Sequence, residues 1–451
     1  MVERNTDTPV STERCDDSEV VRCDVLIMGG GPAGSTAAAL LADHGHDVLL
    51  LDKDAHPRFH IGESLLPANL RLFEQLGVAD EMRRIGMPKW AAEFHSPWHD
   101  KLETFEFSDA WNKSMPHAYA VNRSEFDQVL LARARRSGAR VIEQCRVTDV
   151  DLEATPERAH ARARREDGSS LLCAPRFVVD ATGRDTFLAN RMKIKQKDSK
   201  HNSLAVYGHF AGAALNPGKK AGNITIFWFE HGWFWFIPLL DDVTSVGMVC
   251  WPYFMKTRGD RSLERFLRDA IAMAPALAER LASARLVRHV EATGNYSYSC
   301  SRNHGRNYVL IGDAYSFIDP MFSSGVMMAM QGAFSAADTV HTWLRDEAQG
   351  AAALRRLDKV LVRGPRKFSW FIYRMSSPTM RDLFMGPRNF FRVKEALLSV
   401  LAGDIYGKTP IWPSVAIFKL IYYVSCLRHL RRSVRAHKRR QQSVAGLTPQ
   451  S

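Results

Sequence analysis

Cys23-Asp24-Val25-Leu26-Ile27-Met28 runs directly into Gly29-Gly30-Gly31-Pro32-Ala33-Gly34, and an Ala-rich stretch follows to about Gly45. A short aliphatic strand, a glycine turn and a helix are the reading. A second strand, Asp47-Val48-Leu49-Leu50-Leu51-Asp52, completes a βαβ unit of ordinary length. Gly29, Gly31 and Gly34 fit G-x-G-x-x-G. The first glycine makes the tight turn, the second admits a pyrophosphate to the backbone, and the third lets helix pack on strand. The helix start, with Ala33 in its first turn, adds free N–H groups and partial positive charge. Asp52 closes the second strand, where a carboxylate accepts hydrogen bonds from a ribose. A glycine turn alone also occurs for structural reasons. Flanked by strand and helix, with an acid at the right distance, it predicts a bound dinucleotide.

Two further runs have the same character. Phe177-Val178-Val179-Asp180 ends in Ala181-Thr182-Gly183, and Tyr308-Val309-Leu310-Ile311 ends in Gly312-Asp313-Ala314 and leads into a helix. Short, aliphatic and turn-terminated, these are expected to be buried parallel strands. Residues 201–293 are rich in aromatics, and Ile224-Thr225-Ile226-Phe227-Trp228-Phe229 reads as a strand. A second, mostly antiparallel sheet is expected there, with a part from Trp90 to Tyr119. From about Gln331 the patterning is helical. The expected organisation is a flexible segment over 1–21 and an α/β Rossmann-like domain over 22–345. Into that domain a substrate-side β-sheet is inserted (about 85–118 and 200–295). A C-terminal helical region over 346–440 and a flexible tail over 441–451 complete the chain.

Bulk properties exclude several classes. The 451 residues are 45% hydrophobic and 24% charged, as in an ordinary soluble protein. The seven cysteines form no C-x-x-C pair, so a zinc site or disulfide framework is not expected, and a reducing cytoplasm is. The net charge is +12, and seven Lys/Arg lie between Arg428 and Arg440 with no acid among them. Most of the excess sits in one segment and the body is only mildly basic, so a nucleic-acid-binding face is not expected. Met1 to Glu19 lacks the apolar region of a signal peptide. Ile411 to Leu427 carries Pro413 and Lys419 and is shorter than the ~20 residues of a membrane span. The apolar run Phe418–Val424 followed by cations fits a core-docking helix with a solvated basic end. It also fits weak peripheral contact with an anionic membrane.

Several motifs carry a resemblance. Gly312-Asp313, Asp180-Ala181-Thr182-Gly183 and Arg123 in Arg123-Ser124-Glu125-Phe126-Asp127 resemble, in that order of use, the second and middle fingerprints and the cofactor-reaching arginine of large two-domain flavoproteins. No second glycine fingerprint for a nicotinamide cofactor is present. Trp233-Phe234-Trp235-Phe236-Ile237-Pro238 is a W-x-W-x-I-P motif. Gly62-Glu63-Ser64-Leu65-Leu66-Pro67 resembles a strap beside the flavin, Lys89 stands in Pro88-Lys89-Trp90-Ala91-Ala92-Glu93-Phe94, and Phe317, Pro320, Ser323 and Gly325 form F-x-x-P-x-x-S-x-G. Together, over roughly Cys23 to Leu427, the chain resembles the flavin-dependent halogenases.

The resemblance implies FAD, supplied reduced by a separate flavin reductase, and a halide ion, chloride or bromide, held by the backbone N–H groups of Ser324 and Gly325. It implies a wall of Trp233, Trp235, Ile237, Pro238 and Pro320 beside the flavin, with Lys89 and Ser323 as catalytic residues. A flavin hydroperoxide and hypohalous acid delivered to Lys89 would then halogenate an electron-rich ring. Where tryptophan halogenases carry a glutamate before the motif serine, this chain has Phe322. That departure, with the shorter chain, looks like the branch acting on phenols and pyrroles, free or tethered to an acyl carrier protein. An aromatic hydroxylase of the same fold and a flavin reductase of lipid double bonds remain alternatives, separable by halide dependence; a non-catalytic flavoprotein that binds a membrane surface or partner is a third, supported by the basic tail and opposed by intact Lys89 and Ser323.

Overall fold

The computed structural model describes residues 20–294 and 297–447. The lead-in Met1–Glu19 lies outside them. Strand Val20–Met28 begins two residues ahead of the expected boundary and sits inside a seven-stranded sheet. It pairs in parallel with Val48–Leu51 on one side and Ser170–Asp180 on the other. Tyr308–Leu310 also pairs in parallel with Ser170–Asp180. Val25, Leu26 and Ile27 are fully buried because helices cover one face and further strands the other. Helix Pro32–Asp43 packs tightly on this sheet: a Cβ on Gly34 would lie 1.8 Å from the Gly29 carbonyl oxygen, and Gly29 has φ +101°. No side chain fits there.

The aromatic segment forms a second seven-stranded sheet. Its order is Arg285–Gly294, Leu204–Ala211, Val243–Cys250, Gly232–Pro238, Ile224–Phe229, Ala91–Ser96, Lys101–Glu106. All pairs are antiparallel except Ile224–Phe229 with Ala91–Ser96. Alternation along Gly232–Pro238 divides its side chains between two cores. Trp233, Trp235 and Ile237 face the C-terminal helices, and Phe234 and Phe236 face helix Leu263–Ala272. Both faces are buried, so the strand reads as unbroken apolar sequence. Gly247 on the neighbouring strand makes room for Trp235, whose ring would lie 2.1 Å from a Cβ there. Residues 86–121 do not all join this sheet. Gly86–Lys89 and Ala118–Val121 pair as a separate two-stranded ribbon, which carries Lys89.

Two expectations are corrected. Gly312-Asp313-Ala314 is a single 3-10 turn and does not open a long helix. The chain crosses to Ser316–Phe317, makes a second 3-10 turn over Pro320–Phe322, and only then enters helix Gly325–Arg345. The polar end is not a flexible tail from 441. Helix Leu430–Val444 runs through it, Ser443 is buried, and the Asn202 side-chain amide donates to the Val444 carbonyl at 3.3 Å. Residues 448–451 lie outside the described residues. Among the described residues no helix is long and apolar enough to cross a membrane.

Candidate active site

One cleft runs from the glycine turn to the start of helix Gly325–Arg345. Gly29, Gly31, Ala33, Asp52, Arg123, Asp313, Trp233, Trp235, Ile237, Pro320, Ser323 and Gly325 all line it. Gly34 and Gly312 lie beneath its floor as packing positions, and Pro238, buried Ser324 and Lys89 do not face it.

At the nucleotide end, Asp52 accepts the Gly30 amide at 2.5 Å and the Asp54 amide at 2.8 Å, which anchors the turn to the second strand. Helix Pro32–Asp43 has no side-chain cap, so its first N–H groups stay available. A Cβ on Gly31 would meet only the Arg58 guanidinium, at 3.9 Å. An uncapped helix start facing open cleft beside a cation is what a pyrophosphate needs. Arg123, at the start of helix Arg123–Arg136, forks onto Asp127 at 2.9 and 3.0 Å and donates to the Ile61 carbonyl at 3.1 Å. Gly62, at φ +112°, lets the strap pass over it, since a Cβ there would lie 3.0 Å from the guanidinium. Burial pushes the Asp313 carboxyl up to about 6, against the pull of Arg184 and Arg123. A polyol chain donating to it would favour its charged form. The residues present thus fit FAD. Asp180, in the middle fingerprint, is structural: it accepts from the Thr182 amide and hydroxyl and from the Leu188 amide. It leaves Ala181, Thr182 and Gly183 to line the cleft.

At the other end Ser323 closes the turn Pro320–Phe322 in the left-handed conformation, φ +53°. Its hydroxyl donates to the Ser64 hydroxyl at 2.9 Å, and the Lys89 ammonium donates to the same Ser64 oxygen at 2.7 Å and to the Leu65 carbonyl at 2.6 Å. A hydrogen-bonded line therefore joins the cleft to a fully buried lysine. Burial lowers Lys89 from 10.5 to about 7, and the Phe107 ring lies 5.5 Å from its nitrogen. Phe322 packs against Phe368 and Phe371, so the place where a tryptophan-type base would stand is aromatic core.

Sequence reading missed the bridge. Ser64 was visible only as part of the strap, and nothing in its neighbours signals a contact with residues 25 and 259 positions away. It also assigned no role to Glu63, which is buried at the cleft wall and bonded to His209 at 2.5 Å.

An FAD binding domain family model matches residues 22–357. A tryptophan 2-halogenase of Chondromyces crocatus is 32% identical over 73% of this chain and 63% of its own length, so the chain spans under two thirds of that relative. A 1H-pyrrole-2-carbonyl-[peptidyl-carrier protein] chlorinase of Pseudomonas fluorescens is 28% identical over 85% of this chain and 90% of its own. Among solved structures, the myxobacterial chondrochloren halogenase CndH, described as a variant of FAD-dependent halogenases, is 32% identical. It superposes with a TM-score of 0.75 over 87% of this chain and 93% of its own. With the flavin cradle and the strap already in place, the chain belongs to the flavin-dependent halogenases.

Proposed function

We propose that this enzyme halogenates an electron-rich phenolic or pyrrole-like ring, free or on a carrier protein, with hypohalous acid passed from the flavin cleft to Lys89. The observation that carries the reading is the line Ser323–Ser64–Lys89, which starts in the cleft and ends at a buried amine. Reduced FAD, when bound and delivered by a separate reductase, supplies with dioxygen the oxidising power for halide. The chain's own residues do the rest. Trp233, Trp235 and Ile237 present apolar surface to the cleft, which keeps an organic ring away from the oxidant. The Gly325 amide, at an uncapped helix start on the cleft, would form the halide cradle together with the Ser324 amide beneath it. Lys89 with a pKa near 7 is about half neutral at neutral pH. A neutral amine accepts a halogen, and an ammonium donates to hypohalous acid; both need the nitrogen held still, as Ser64 and the Leu65 carbonyl hold it.

A second cavity of about 620 Å³ lies across the strap, lined by Ala68, His117, Tyr119, Met327, Gln331 and Asp404 among others. His117 and Tyr119 flank Ala118, the ribbon partner of Lys89. Residues 62–64 and 325–326 face the first cavity, and residues 68, 70 and 327 face the second. We place the aromatic ring in this second cavity, with Lys89 in the wall between.

Mass spectrometry of products from reduced FAD, dioxygen and bromide, with a panel of free and carrier-bound phenols and pyrroles, tests the reading. Oxygenated products without halogen would transfer it to a hydroxylase. Membrane contact rests on exposed Leu420, Leu427 and Leu430 beside Arg428 and Arg431. Binding to anionic vesicles at low salt, lost at high salt, is its test.

A further inference from the structure

The turn that carries Ser323 is held from outside the cleft. Asp319 caps it: one carboxylate oxygen accepts the Met321 amide at 2.9 Å. The other accepts His201 Nε2 at 2.6 Å and the Ser203 hydroxyl at 3.2 Å. Asp319 and His201 are both buried. The next partner comes from the far end of the chain. Arg440, on helix Leu430–Val444, places Nη2 3.1 Å from His201 Nδ1 and 3.1 Å from the Lys200 carbonyl. Its guanidinium sits 5.5 Å from the Trp251 ring and 5.8 Å from that of Tyr373.

The tautomer follows from the partners. A guanidinium has only donors, so His201 Nδ1 accepts from Arg440 and Nε2 carries the hydrogen that goes to Asp319. Asp319 and Arg440 thus require the same tautomer, Arg440 adds a second anchor that holds the ring plane, and the ring in turn orients the carboxylate that caps the turn. Without Arg440 the ring keeps one anchor, at Asp319, and is free to turn about it. The carboxylate then loses its charge-assisted contact or shares it with water. Ser323 stands at φ +53°, a conformation that a non-glycine residue keeps only when its surroundings hold it. The Ser297 hydroxyl donates to the Ile318 carbonyl and steadies the strand side of the same segment.

We propose that Arg440, His201 and Asp319 form a positioning relay through which the C-terminal helix sets the Pro320–Ser323 turn, and with it the halide cradle and the Ser323–Ser64–Lys89 line. None of the three touches the reacting atoms in this arrangement. They are positioning residues, and the basic helix is a built part of the active site. The consequence for halide rests on the functional reading above; the relay itself does not.

The test is hydrogen exchange of the intact protein with Arg440→Met, Arg440→Lys and Asp319→Asn, followed by halide kinetics. Arg440→Met is expected to speed exchange over residues 318–326 by roughly tenfold, the effect of losing one charged hydrogen bond to the histidine that supports the cap. Residues 29–43 should exchange as before, and Arg440→Lys should restore part of the protection, since an ammonium reaches one of the two acceptors. Arg432→Ala, on the same helix and paired with Asp382, should change nothing at the turn. Asp319→Asn keeps an oxygen for Met321 but none for His201, and should resemble Arg440→Met. Unchanged exchange over 318–326 in Arg440→Met overturns the relay, as does an increase of equal size over 29–43, which would mean general loosening. The KM for bromide should rise roughly tenfold in Arg440→Met with FAD affinity intact. Local loosening with an unchanged bromide KM would leave the relay standing and overturn the halide role given to the turn.

Discussion

Removing the charge at Lys89 should stabilise the protein at acid pH and lose that benefit at alkaline pH. In the unfolded chain the ammonium has an ordinary pKa of 10.5, and burial lowers it to about 7 in the fold. Wherever the unfolded side chain is charged, folding is then opposed, because the folded state binds the proton more weakly. The cost is complete below about pH 7, shrinks as pH rises toward 10.5, and vanishes above it. At ~1.4 kcal/mol per tenfold, the full cost is about 5 kcal/mol, falling to roughly 1–2 kcal/mol at about pH 9.5. Lys89→Met removes the charge and keeps the volume. It also strips the Leu65 carbonyl of a donor, a loss of about 1–3 kcal/mol that does not depend on pH. The difference between variant and wild type is therefore the quantity to read at two pH values. Urea unfolding of the flavin-free proteins at about pH 6 and about pH 9.5 should show that difference shrinking by about 3 kcal/mol. A change below about 1 kcal/mol would refute the burial of a titrating Lys89 between strap and ribbon. The same titration should appear in catalysis if the neutral amine is the competent form. Halogenated product per flavin oxidised should then rise with pH through about 7 while flavin oxidation stays flat.

Other perturbations separate the parts of the site. Lys89→Ala is expected to abolish halogenation, by at least about a hundredfold, while peroxide release from reduced FAD continues; undiminished halogenated product would remove Lys89 from the chemistry. Ser64→Ala should lower product per flavin oxidised roughly tenfold and shift its pH profile, with Ser64→Thr recovering most of the loss; an unshifted profile would reduce Ser64 to packing. Gly31→Trp should abolish FAD retention, read by absorbance of the purified protein, because the indole would occupy open cleft at the helix start.

The parts of this fold that were legible in sequence are those where local chemistry and global position agree. The aliphatic runs are buried parallel strands because nothing polar interrupts Val25–Met28, Val48–Leu51, Phe177–Val179 or Val309–Ile311. The glycine turn announces itself because Gly29 and Gly34 allow a contact no side chain survives. The W-x-W-x-I-P run was legible as a buried aromatic segment, though not why Gly247 must face it. The ribbon that carries Lys89 was not legible. Gly86-Met87-Pro88-Lys89 has little strand propensity, and it pairs with residues 118–121 only because tertiary packing brings them together.

The C-terminal helix shows where periodicity fails and why. Hydrophobic patterning finds the buried face of a helix only if that face is apolar. In Leu430–Val444 the assignment is inverted. Leu430 and Val434 are exposed, while Ser443 is buried and Arg440 reaches between Trp251 and Tyr373 to His201. The segment therefore reads as a solvated basic end, and a truncation at residue 428 looks like removal of an address. In the structure that truncation also removes the residue that orients His201 against Asp319. A loss of activity after such a deletion would not argue for a membrane role. Point substitutions divide the two effects: exposed Arg431 and Arg435 face solvent, whereas Arg440 faces the turn. Arg431→Ala with Arg435→Ala should weaken any salt-sensitive binding to anionic vesicles and spare bromide KM, with each cation near the surface contributing roughly 1 kcal/mol. Equal loss of bromide affinity in that double variant and in Arg440→Met would mean that the cations act through their summed field, and that geometry at His201 is not what sets the turn.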